Sequence, residues 1–165
     1  MLTSDRLKAL FDYNPCTGIF TRKVTLGRCI AGSAITKTTR YGYVQFRVDG
    51  YAYMAHRLAF LYMTGSWPKQ ILDHTNRIRS DNRWDNLREC TYEENNRNCK
   101  KLNITSRFKG MSRKANGMFE VRLRYGGTQH LIGIFKNDVE AAYAHDMASI
   151  KFHGEFGNRN FLPFV

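Results

Sequence analysis

The sequence predicts an α+β chain made of several small antiparallel sheets with helices set between them. Three observations carry this reading. Polar and apolar residues alternate in short runs, as where Tyr43, Gln45 and Arg47 interleave with Val44, Phe46 and Val48 ahead of Asp49-Gly50, the period of a half-buried strand running into a hairpin turn. Helical apolar spacing appears in separate windows, such as Leu58, Ala59, Leu61 and Tyr62. A hydrophobic fraction of 42% can supply cores, but 24% charged residues and many glycine-marked turns argue against a single large one in 165 residues.

Taken in order, Thr3 or Ser4 can cap a short helix through Phe11, with Leu7, Leu10 and Phe11 on one face. Residues 14–18, Asn-Pro-Cys-Thr-Gly, read as a turn. Strands follow at 19–23, near 30–35 and at 42–48, and 51–54 pairs back across the Asp49-Gly50 turn. A helix over 55–63 stops at Thr64-Gly65, and 66–68 connect it onward. Short strands are expected at 71–74 and 88–91. Thr91 and Glu94 then form a capping box that opens a helix through about Lys100.

The polar residues 101–106 are the expected linker. Beyond it lie strand-like runs at 108–112, 118–124 and 130–135, with turns at Asn116-Gly117 and Gly126-Gly127, and a helix over 138–153 rich in alanine. The expected division is therefore 1–54, 55–100, the linker 101–106 and 107–165.

The net charge of +12 favours a polyanionic partner. It is unevenly spread. Residues 1–65 hold 9 Lys+Arg against 3 Asp+Glu, residues 66–100 hold 7 against 6, and residues 101–165 hold 10 against 5. Two basic flanks surround a nearly neutral centre, as expected if the flanks grip a phosphate backbone while the centre does chemistry. No apolar run approaches the ~20 residues of a membrane span, and the N-terminus lacks a signal peptide's apolar stretch. The expectation is a cytoplasmic protein with no membrane association and no obligate protein partner. The cysteines Cys16, Cys29, Cys90 and Cys99 are spaced by 13, 61 and 9 residues. That fits reduced thiols better than a common zinc finger.

The chemistry concentrates in residues 73–98. A carboxylate, Asp73, adjoins an imidazole, His74; Asn86-Leu87-Arg88 follows, and then the Asn-rich stretch Glu94-Asn95-Asn96-Arg97-Asn98. Consecutive strand residues point to opposite faces, so Asp73 and His74 can do different jobs. This set resembles the HNH nuclease motif in the Asn-ended form of phage and intron-encoded homing endonucleases. The resemblance implies a ββα-metal module in which Asp73 and Asn95 hold a metal ion, His74 is the general base and Asn86 braces the loop carrying it. Oxygen donors of this kind suit Mg²⁺ or Mn²⁺, and a neutral imidazole suits a base near pH 7. Cys99 lies four residues after Asn95, on the same helix face. It can be a softer ligand, but is read chiefly as a small packing residue. His56-Arg57-Leu58 also fits the phage subfamily, with His56 read as structural and Arg57 as a phosphate contact.

The C-terminal part has its own pattern. Phe108-Lys109-Gly110-Met111, the run 117–124, Ile132-Gly133-Ile134-Phe135 and the run 140–146 come in order and end at Asn160-Phe161. This is similar to the AP-two DNA-binding domain of plant ethylene-response factors, which implies a three-stranded antiparallel sheet packed on one helix. Phe119, Val121 and Leu123 should face that helix, leaving Glu120, Arg122 and Arg124 outward. Lys109, Arg113, Lys114, Arg122 and Arg124 are the expected contacts to double-stranded DNA. The family often has an Arg and a Trp where this chain has Ser112 and Phe119, so base preference does not transfer. The whole reads as a metal-dependent, site-specific DNA endonuclease of homing type. The alternative is a non-catalytic DNA-binding regulator on an HNH scaffold.

Overall fold

The computed structural model describes residues 1–98 and 106–161. These fall into two compact units, Met1–Thr91 and Tyr92–Val165. The expected end of one helix near Lys100, most of the expected linker, and Cys99 lie outside the described residues.

In the first unit, α1 (Ser4–Leu10) is capped by the Thr3 hydroxyl, which accepts from Arg6 N at 3.3 Å. The helix ends one residue earlier than the sequence implies. Phe11 is already extended and opens β1 (Phe11–Asn14), a strand the sequence reading did not contain. β1 pairs antiparallel with β2 (Ile19–Arg22), and β2 with the short β3 (Ala34–Ile35). The cause is ambiguous patterning: Leu7, Leu10 and Phe11 satisfy helical spacing, while Phe11 and Tyr13 alternate with exposed Asp12 and Asn14. Burial of Phe11 against Phe46 and of Tyr13 against Phe20 decides for the strand.

β4 (Gln45–Val48) and β5 (Tyr51–Met54) form the expected hairpin. Both turn residues take positive φ, Asp49 at 49° and Gly50 at 85°, the turn geometry that Asp-Gly favours because it matches strand twist. Val44, Phe46 and Val48 are buried, as their alternation predicts. α2 (Ala55–Thr64) follows at once and ends on Gly65, whose left-handed backbone lets its N–H return to Leu61 O. Leu58, Ala59 and Leu61 join Leu7, Leu10, Phe11, Phe20 and Phe46 in one core. Next to it lies an antiparallel pair, β6 (Ile71–His74) and β7 (Leu87–Cys90).

The second unit opens with α3 (Tyr92–Asn98). The strand pair and the helix of the expected ββα module thus fall in different units. Then β8 (Met111–Arg113), β9 (Phe119–Tyr125) and β10 (Thr128–Phe135) form an antiparallel sheet with β9 in the middle. α4 (Asp138–His153) is capped by Asn137, whose side-chain oxygen accepts from Val139 N at 2.7 Å. It packs on that sheet through Ala141 and Ala142, against Phe108, Met111 and Val121. Small residues there let the helix approach closely. Asp146, fully buried, closes the unit by accepting from Asn160 N and Phe161 N at 2.8 Å.

Candidate active site

Asp73 and His74 end β6, and both are buried. The register sets Asp73 opposite Arg88 of β7 and His74 opposite Leu87. Arg88 reaches across and donates to Asp73 Oδ2 from Nη2 at 3.0 Å and Nε at 3.2 Å. Arg88 is part of the Asn-Leu-Arg turn singled out in the sequence, yet nothing in the sequence marks it as the partner of Asp73.

His74 has different neighbours. Its Nε2 lies 3.3 Å from Asn82 Oδ1. The His56 ring, on α2, meets it edge-on with centroids 5.0 Å apart, and Tyr43 lies near both imidazoles. Burial pushes the His74 imidazole below its ordinary pKa, against opposing pulls from Asn82, Asp73 and Asp81. It is therefore neutral at pH 7, the state a base needs. His56 is pushed further, to about 3, first by burial and then by His74 and Arg57. Its Nδ1 is buried without a hydrogen-bond partner among the described residues.

The loop from Thr75 to Asn86 is held by a lattice of short bonds. Asn86 Oδ1 accepts from Asn76 N at 2.9 Å, its Nδ2 donates to Asp81 O at 2.7 Å, and its carbonyl accepts from Thr75 N at 2.9 Å. Asn76 Nδ2 donates to Asp81 Oδ2, and Arg83 grips both Asp81 oxygens. Asn86 thus ties the two ends of the loop just beyond His74. Asn82 was not among the residues the sequence singled out: a second asparagine four residues before Asn86 carries no signal of its own.

Asn95 lies on α3, in the second unit, half-buried. Among the described residues, no group of three or more His, Cys, Asp or Glu side chains could hold a metal ion. Arg57 is exposed on α2 with its guanidinium 5.7 Å from the Trp67 ring centroid.

The basic residues of the second unit are not equivalent. Arg122 and Arg124 are exposed on β9, and Arg113 and Lys114 lie exposed at the end of β8 and just past it. Glu120 shares their face but is only 7% exposed, because Lys114 Nζ bonds it at 2.6 Å and Arg122 Nε at 2.7 Å. The Lys114 contact, with Arg122, holds its carboxyl below the usual carboxylate range. Glu120 keeps the face that the alternation assigns it, and this pairing covers it there. Lys109 is half-buried and donates to Arg97 O at 2.7 Å. Lys109, Arg122 and Arg124 help line a cavity of about 650 Å³ within this unit, with Arg97 and Gln129.

Residues 53–97 match the family described as HNH endonuclease. The match runs from β5 through most of α3 and includes Asp73, His74, Asn86 and Asn95. A search of curated proteins finds no match to the chain. No helix among the described residues is long and apolar enough to cross a membrane.

Proposed function

We propose that the chain is a metal-dependent, site-specific DNA endonuclease of homing type, in which His74 is the general base. The observation that carries this is the buried Asp73-His74 pair at the end of β6, inside the stretch that matches HNH endonucleases. The regulator reading leaves Asp73, His74 and Asn95 without a part in cleavage, and the plasmid assay below separates it from the nuclease reading. His74 takes the proton of the attacking water, Asn86 holds the loop behind it, and the basic residues hold the duplex. A divalent ion supplies charge stabilisation at the phosphate and the leaving oxygen.

Asp73 and Asn95 are the proposed oxygen donors to that ion. A single carboxylate and an amide suit a hard ion that keeps several waters, Mg²⁺ or Mn²⁺, and do not suit a closed zinc site of three or four nitrogen and sulfur ligands. The deciding experiment is incubation of supercoiled plasmid with Mg²⁺, with and without EDTA: conversion to nicked or linear DNA that EDTA stops is the expected result. Asp73→Ala and Asn95→Ala are each expected to need more Mg²⁺ or Mn²⁺ for any residual cutting. Metal titration curves that overlay those of the parent would remove both from the ligand set.

The second unit is proposed as an AP-two-like duplex reader that meets DNA through the outward face of β9. Arg122→Ala and Arg124→Ala are expected to weaken binding. Arg124 should matter more, since Arg122 is held by Glu120 while the Arg124 guanidinium makes a long bond to the Gly127 carbonyl, at 3.3 Å. An arginine on phosphate lowers the salt slope by about 1 for every sequence, whereas one on a base edge costs about 1–3 kcal/mol on the true site alone. Salt titrations on specific and random duplexes separate the cases, and unchanged affinity and slope in both variants would rule out this face.

A further inference from the structure

The chain just ahead of β4 reaches the candidate site from outside the stretch that matches the nuclease family. Residues 38–44 form a tight turn. Thr39 N donates to Tyr43 O at 2.7 Å, and Gly42 N donates to Thr39 O at 2.9 Å. Gly42 takes a φ of +84°, a backbone that favours glycine. Thr38 and Val44 pair across the base of the turn, and Val44 is buried in the core. The turn holds the half-buried Tyr43 with its ring centroid 5.5 Å from that of His56 and 6.0 Å from that of His74.

Arg79 comes to the same turn from the loop between β6 and β7. Its Nη1 donates to Tyr41 O at 3.1 Å, and its guanidinium lies over Tyr43, 5.0 Å from the ring centroid. The electron-rich face of the ring attracts the cation, and the planar guanidinium suits that stacking. Tyr41 takes one N–H of the fork, and the residue is exposed. Among the described residues no carboxylate pairs with Arg79. Arg40, exposed on the turn itself, lies over the Tyr41 ring at 4.5 Å and adds a second cation to this edge.

We propose that Arg79 grips a backbone phosphate of the cut strand close to the scissile bond, and so sets which bond meets the Asp73-His74 pair. This role rests on the reading of that pair as the cleavage site and adds the group that registers the strand on it. With 5.0 Å from Arg79 to the Tyr43 centroid and 6.0 Å from there to His74, the cation lies at most about 11 Å from the imidazole centre. Phosphates recur every ~3.4 Å of axis along one strand, so this reach covers about three nucleotides. A guanidinium can offer a phosphate two parallel N–H groups, which fixes orientation as well as distance. A carbonyl at its side and a ring beneath it hold the group before DNA arrives, so little freedom is lost on binding. A buried imidazole cannot follow a strand that slides, and an anchored neighbouring phosphate stops the sliding.

The test begins by mapping a cut that the full chain makes on supercoiled plasmid in Mg²⁺. Synthetic duplexes spanning that cut are then made with single phosphates replaced, one at a time, by neutral methylphosphonates. Binding of each duplex in EDTA is compared for the parent and Arg79→Gln. The parent should lose affinity at a phosphate within about three nucleotides of the cut. Arg79→Gln should bind the unmodified duplex more weakly, with a salt slope lower by about 1, and should be indifferent to the neutral linkage at that one position. If Arg79 only braces the turn, the variant keeps the parent's position-by-position pattern at lower affinity, and that outcome overturns the proposal. A phosphate farther from the cut as the one Arg79 answers to overturns it too, as do unchanged affinity and slope. Arg79→Lys keeps the charge without the fork and takes the same scan should Arg79→Gln fail to fold; its sensitivity to that phosphate should be reduced, and a parental pattern again counts against the proposal. A parent that cuts nothing would instead overturn the nuclease reading, and the salt slopes of parent and Arg79→Gln on a random duplex would still decide whether Arg79 holds a phosphate.

Discussion

His74→Ala is expected to slow DNA cleavage by about 10²–10⁴-fold, the scale for losing a general base, while duplex affinity stays close to that of the parent. The imidazole is only 4% exposed, so its removal takes little from any binding surface. It is pushed below its ordinary pKa by burial, and so is neutral and able to accept a proton at pH 7. Its ring nitrogen is held by Asn82, and its edge is fixed against His56. Such packing limits the ring to a small range of orientations, which is what a base aligned with an attacking water requires. Alanine leaves Asp73 and its Arg88 partner in place, so the loss should appear in the chemical step. Single-turnover cleavage and equilibrium binding, measured side by side, check this. Full-rate cutting by the variant would take His74 out of the mechanism.

Acid is expected to destabilise the first unit, with His56 as a principal cause. In the folded chain its pKa is pushed down to about 3, first by burial and then by His74 and Arg57; an unfolded histidine titrates near ~6.5. Between those values the unfolded chain binds a proton that the folded chain refuses, so stability rises with pH by about 1.4 kcal/mol per unit. The stability contributed by a neutral His56 is complete above pH ~6.5, falls as pH drops toward about 3, and levels off below that. Going from pH 6.5 to 5 should cost about 2 kcal/mol from this residue. The proton is refused because the ring is buried away from water, with His74 and Arg57 nearby opposing a further positive charge. His74, also shifted down, adds in the same direction. His56→Phe keeps a ring in the same space but cannot titrate. Its loss of Tm between pH 7 and pH 5 should be clearly smaller than that of the parent, though not zero. Equal losses in the two proteins would mean that His56 is not the source.

The sequence by itself determined the α+β class, most of the elements and the stretch that matches HNH endonucleases. Strict alternation at Val44, Phe46 and Val48 with Asp-Gly following admits one local answer, a hairpin, because only that geometry buries one face and lets both turn residues take positive φ. Phe119, Val121 and Leu123, with alanines in the following helix, likewise fix a sheet against a helix. Asp73 and His74 could be read because their neighbours in the chain carry the pattern. What the tertiary structure decided depends on residues far apart in sequence. Whether Phe11 ends a helix or begins a strand is settled by Phe46, and how far Glu120 is covered is settled by Lys114, just past β8, and by Arg122. Arg88 finds Asp73 only through the β6–β7 register, and the Asn82 carbonyl accepts the hydroxyl of Tyr13 from a strand more than sixty residues earlier. Local patterns set which backbone geometry is cheapest; the partners of buried polar groups are set by the need to satisfy every one of them at once, and that condition exists only when the chain has folded.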